Sequence, residues 1–243
     1  MKLSRRLIPA IAMLMVSAVL MSTASFAWFS MNTQVTANNI KVTATAPASL
    51  LISTNATSGF GSTVDLTPSP EIKIVPVGFN AKESLYKLKA ETSVQSQVDG
   101  DGKLPQGIAY PNDAYFVSAV ENQDYYFSRL YLKLDGTTDT QMVSVTVDIA
   151  FTSQAATEEA IQKAFKVVLI FKDQDTDQDT KVIFEGDATD LEKQLFEITG
   201  NAAATEVQVY VYLDGNDEDC KNANISEETS LTVNLEFSLP AAQ

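Results

Sequence analysis

Between residues 143 and 151 every second side chain is apolar: Val143, Val145, Val147, Ile149 and Phe151 alternate with Ser144, Thr146, Asp148 and Ala150. A strand points successive side chains to opposite faces, so this period of two makes one dry face and one wet face. The same period recurs at Val207, Val209, Val211 and Leu213, and again at Leu231, Val233, Leu235, Phe237 and Leu239. Strands of this kind must bury their apolar faces against another layer, which restricts the chain to a layered β architecture.

Shorter strand candidates cover 49–54, 71–77, 85–91, 114–120, 125–134 and 181–185. Val167, Val168, Leu169, Ile170 and Phe171 are apolar on both parities, the pattern of a central strand covered on both faces. Helix signals are short: Thr157 can cap 158–165, with Glu158 and Glu159 in the first turn, and a further turn or two is expected over 190–196. About ten strands with sparse helix predict an all-β, two-sheet antiparallel sandwich, jelly-roll or immunoglobulin-like in topology, with one or two short helices.

The N-terminus reads as an export signal. Lys2, Arg5 and Arg6 precede an apolar run from Leu7 to Met21, shorter than a membrane span, and Ser25 and Ala27 supply the small side chains signal peptidase requires. Cleavage is expected between Ala27 and Trp28, which leaves no membrane span in the mature protein; the alternative is an uncleaved anchor. The expected organisation is a signal peptide over 1–27, an N-terminal strand segment over 28–46, and a single sandwich domain over 47–243.

Charge and residue usage then exclude functions. With 17 Lys and Arg against 31 Asp and Glu the net charge is −14, and signal removal takes away three further basic groups. Such a surface repels phosphate, so no nucleic-acid partner is expected. The chain has no histidine, which excludes imidazole-based triads and histidine zinc sites. Its one cysteine, Cys220, cannot close an internal disulfide. With Asp217, Glu218 and Asp219 beside it, its thiol is expected to be a poor nucleophile. No enzyme activity is expected.

Asp173, Asp175, Asp177 and Asp179 place carboxylates at alternate positions of one loop, as in the first half of a calcium loop. The glycine and the bidentate glutamate of an EF-hand are missing, so the expectation is a solvated hairpin tip or, at most, a weak structural calcium site. No other cofactor is expected.

Ser22-Thr23-Ala24-Ser25-Phe26-Ala27-Trp28-Phe29-Ser30, running into Val35-Thr36-Ala37-Asn38-Asn39-Ile40-Lys41-Val42, resembles the N-terminus of the TasA/camelysin-like secreted proteins of Gram-positive bacteria. The strand and turn from Val209 through Asp214-Gly215-Asn216-Asp217-Glu218-Asp219-Cys220 are similar to a region near the C-terminus of such relatives. The resemblance implies processing by a SipW-type signal peptidase, a jelly-roll fold, and a secreted subunit that self-associates into biofilm-matrix or cell-surface fibres. It also implies an alternative, a camelysin-like metallopeptidase, against which the absence of histidine speaks. A calcium-dependent adhesion or carbohydrate-binding module is a third reading.

Beyond the expected cut, Phe29, Met31, Val35 and Ala37 keep one parity with Trp28 at the new terminus; at Asn38-Asn39 the apolar parity shifts to Ile40, Val42, Ala44 and Ala46. Two strand segments separated by a bulge or a change of sheet are expected. The second suits an ordinary strand of the domain. Trp28, Phe29, Met31, Val35 and Ala37 make the first a candidate assembly strand, either packed at home or added to a neighbour's sheet edge, as the fibre resemblance implies.

Overall fold

The structure, a computed structural model, describes residues 40–46, 49–68, 72, 74–79, 84–91, 94, 112–152, 162–172, 179–186, 192–200, 202–217, 219–220 and 230–239. The described strands begin with β1 (Lys41–Thr45), β2 (Leu50–Ser53), β3 (Thr63–Asp65), β4 (Pro76–Phe79), β5 (Leu85–Leu88), β6 (Phe116–Ser118) and β7 (Tyr126–Leu134). They continue with β8 (Thr140–Thr152), β9 (Phe165–Lys172), β10 (Asp179–Glu185), β11 (Glu192–Thr199), β12 (Thr205–Asp214) and β13 (Ser230–Ser238).

These form two sheets stacked as a sandwich. One has five strands in the order β11-β8-β13-β1-β3; the other has eight and is built on β10-β9-β12. Along its first seven residues β12 pairs with β7, which in turn pairs with β2, and at Leu213 and Asp214 it pairs with β4, which leads to β5 and β6. Most pairings are antiparallel, as expected. β1–β13 and β4–β12 are parallel and make both sheets mixed.

The alternating residues do what their period demands. Val143, Val145 and Val147 of β8 and Leu231, Val233, Leu235 and Phe237 of β13 share one core with Val207, Val209, Val211 and Leu213 of β12. Each such side chain contributes about 1.5–3 kcal/mol on full burial. The two-sided apolar run of β9 also has its reason. Val167, Leu169 and Phe171 enter the main core, while Val168 and Ile170 pack beneath Val77, Leu85 and Tyr212 on the opposite face. Val42 and Ala44 of β1 enter the main core together with Ile40 just before it, so the even-parity half of the N-terminal region is an ordinary strand.

Two local expectations are corrected. Of the segment 190–196, expected as helical turns, residues 192–196 instead open β11 along β8, with Phe196 and Ile198 buried, while 190 and 191 lie outside the described residues. Its ladder slips between Gln194 and Phe196, so Leu195 is an extra bulged residue and the alternation that marks a strand is interrupted. Of the helix expected over 158–165, Gln162–Ala164 are helical, but Phe165 already opens β9; residues 158–161 lie outside the described residues.

Candidate functional site

β8 outruns its neighbour. It extends over 13 residues, yet β11 pairs only from Thr140 to Thr146, whereas β13 follows β8 to Thr152. Among the described residues, no strand pairs with the other edge of β8 from Val147 to Thr152. Val147 of this stretch is buried, and Ile149 packs partly buried against the core, while Asp148 and Ala150 are exposed. An unpaired edge beside apolar side chains is a template for another strand.

The neighbouring edges are treated differently. Lys193 of β11 stands opposite the buried Val145 and so shares its core-facing side. Its ammonium lies 4.5 Å from the centre of the Phe184 ring and donates a hydrogen bond to the Ile183 carbonyl of β10. A bulge and an inward-facing lysine are two devices that keep an edge from growing, and β11 carries both. β8 beyond Thr146 carries neither.

The chain enters the same sheet at the same end. Lys41 of β1 stands beside Thr232 of β13, which stands opposite Ala150 of β8. Lys41, the first residue of β1, is therefore level with Ala150 in the stretch of β8 that no described strand pairs on its other edge.

On the outer face of the eight-stranded sheet, aromatic rings gather around Tyr210. Phe127, Phe79 and Tyr125 have ring centres 4.8, 5.6 and 6.1 Å from it. A polar row adjoins them: Tyr210 Oη donates to Gln208 Oε1 at 3.0 Å, Gln208 Nε2 to Glu206 Oε1 at 3.2 Å, and Tyr131 Oη to Glu206 Oε2 at 3.0 Å. These contacts satisfy one another and close this face upon itself.

At the end of β12 lies a compact charged group. Lys166 of β9 is 7% exposed and its Nζ reaches Glu185 Oε1 at 3.3 Å and Asp217 Oδ2 at 3.1 Å. Cys220 is fully buried beside it; burial first, then the charges of Asp214 and Asp217, push its thiol well above the usual range. The expected poor nucleophile is thus explained chiefly by desolvation, with Asp214 as a neighbour that local sequence did not indicate.

Of the calcium candidates, Asp179 is described: it is exposed at the start of β10, opposite Lys172. Asp173, Asp175 and Asp177 lie outside the described residues, as do Ala27, Trp28, Phe29, Met31, Val35 and Ala37. Among the described residues no three His, Cys, Asp or Glu side chains gather as metal ligands. The β8 edge and the Lys166 group were missed in the sequence because each is defined by strands distant in the chain.

No family model, no curated protein and no solved structure matches the chain.

Proposed function

We propose that this protein is a secreted, non-enzymatic structural subunit of the extracellular matrix or cell surface that self-associates into fibres by strand addition. The edge of β8 from Val147 to Thr152, with which no strand pairs among the described residues, next to the β11 edge with its bulge and Lys193, is the observation that carries the reading. Signal cleavage at Ala27–Trp28 frees the donor: Phe29, Met31, Val35 and Ala37 share one parity, the spacing needed to lie beside Val147 and Ile149 of another copy on the same sheet face. The resemblance to TasA/camelysin-like proteins supports the same reading. A donor held by one subunit and an acceptor on the next make a head-to-tail contact that does not close, so it propagates.

The test is electron microscopy and size-exclusion chromatography of the concentrated mature protein, with and without calcium. The full mature chain is expected to form filaments. Deleting residues 28–37, or placing a charge at the edge with Ile149→Lys, should leave a folded monomer. Identical filaments from the deletion variant, or a full mature chain that stays monomeric in every condition, would overturn the proposal.

A further inference from the structure

Independently of how subunits assemble, Lys166 and Asp217 form a closely held ion pair between β9 and the turn after β12. The Lys166 ammonium is almost fully withdrawn from water, and its Nζ also donates to the Lys163 carbonyl at 2.6 Å, which fixes the side chain. Asp217 is held from the other side. Its Oδ1 accepts the Asp219 N–H at 3.0 Å, its own N–H reaches the Asp214 carbonyl at 3.1 Å, and its carbonyl accepts the Cys220 N–H at 3.1 Å. The carboxyl therefore presents Oδ2 to the amine in a turn that its own backbone locks, 3.1 Å away.

The pair has buried neighbours. Tyr212, buried, stands opposite Lys166 in register, and Cys220, buried, donates its N–H to the Asp217 carbonyl. Burial, opposed by the Asn216 N–H and by Lys166 and reinforced by Asp217, raises the carboxyl of Asp214, a neighbour of both groups, above its ordinary range. Glu185, exposed at the rim, links the ammonium to solvent. A buried ion pair carries a desolvation cost that a neutral amide does not, and an amine and a carboxyl held in hydrogen-bond contact gain the large effective concentration of an intramolecular reaction.

We propose that Lys166 and Asp217 condense into an internal isopeptide bond joining β9 to the turn after β12. The ammonium first gives up a proton to a neighbouring carboxylate, and the freed Nζ lone pair attacks Cγ of Asp217. The Nζ–Cγ bond forms, one Cγ–Oδ bond breaks, and the departing oxygen leaves with two of the three ammonium protons as water. The third remains on the amide nitrogen. No oxidant or cofactor enters the balance, and the turn is open enough at Asp217 to release the water.

Mass spectrometry of the purified full-length or signal-processed protein tests this, together with peptide mapping after proteolysis. The wild type is expected to be lighter than its sequence by one water and to yield a branched peptide in which Lys166 is joined to Asp217. Lys166→Arg, which keeps the charge but cannot condense, and Asp217→Ala should both show the unmodified mass. The sequence Asp214-Gly215 can lose water by succinimide formation, but that loss would persist in Lys166→Arg and gives no branched peptide. Wild-type protein in which the Lys166 and Asp217 peptides are recovered only as separate, unlinked species overturns the proposal.

Discussion

The Lys87 ammonium lies 2.6 Å from Asp124 Oδ1, while Oδ2 of the same carboxylate accepts the Val120 N–H at 2.7 Å. One nearly buried side chain thus ties β5 to the turn that leads into β7, and the Asp124 carbonyl adds the Val75 N–H at 2.9 Å. Asp124→Ala leaves a lysine and a backbone donor without their acceptor. It should lower unfolding free energy by about 2 kcal/mol, read as a lower urea midpoint at unchanged slope. Asp124→Asn, which keeps an acceptor for Val120, should lose about half as much.

Tyr126 sits in the core and donates its hydroxyl to the Leu66 carbonyl at 2.8 Å. Burial pushes the phenol up to about 12. Because the unfolded chain ionises this group near pH 10, the folded protein binds more protons between the two values and stability falls as pH rises through that window. The contribution is fully present below about pH 10, and about 2 kcal/mol of it is lost by about pH 12. Denaturation at stepped alkaline pH should show a shallower decline for Tyr126→Phe, at a cost of about 1 kcal/mol near neutrality from the unpaired carbonyl.

Cys220 should not react with a thiol reagent in the native protein at mildly alkaline pH, since its sulfur is buried and its thiolate disfavoured. Full reaction is expected in denaturant. Rapid labelling of the folded protein would show that the turn after β12 opens locally.

Two glycines near the β7–β8 connection should separate steric from conformational cost. A Cβ on Gly200 would stand 1.9 Å from the Thr137 carbonyl oxygen, whereas Gly136, with φ of 75°, has open space around it. Gly200→Ala is expected to cost about 2–3 kcal/mol through forced backbone displacement, and Gly136→Ala about 1 kcal/mol through its left-handed backbone alone. Chemical denaturation of the two variants side by side checks the order.

The period-two stretches around Val145, Val209 and Val233 were legible as strands because side-chain alternation is a local consequence of backbone geometry. The same logic made β9 legible as central, since Val168 and Ile170 have no polar alternates. β11 was not legible. Glu192, Lys193, Gln194 and Leu195 favour a helix locally, and the bulge at Leu195 erases the alternation; only the edge of β8 holds this segment extended. β3 is held in the same way, as three residues paired to β1.

The amino-acid sequence by itself determined which segments carry an apolar face and hence that they must be layered. The tertiary structure alone decided which strands pair and which charges meet. Lys193 is an edge guard only because β10 lies beneath it, and Lys166 reaches Asp217 only because β9 and β12, whose residues Lys166 and Tyr212 stand opposite, are paired in one register. Period is set by bonds between adjacent residues. Pairing is set by contacts between residues remote in the chain, whose energies local sequence does not contain.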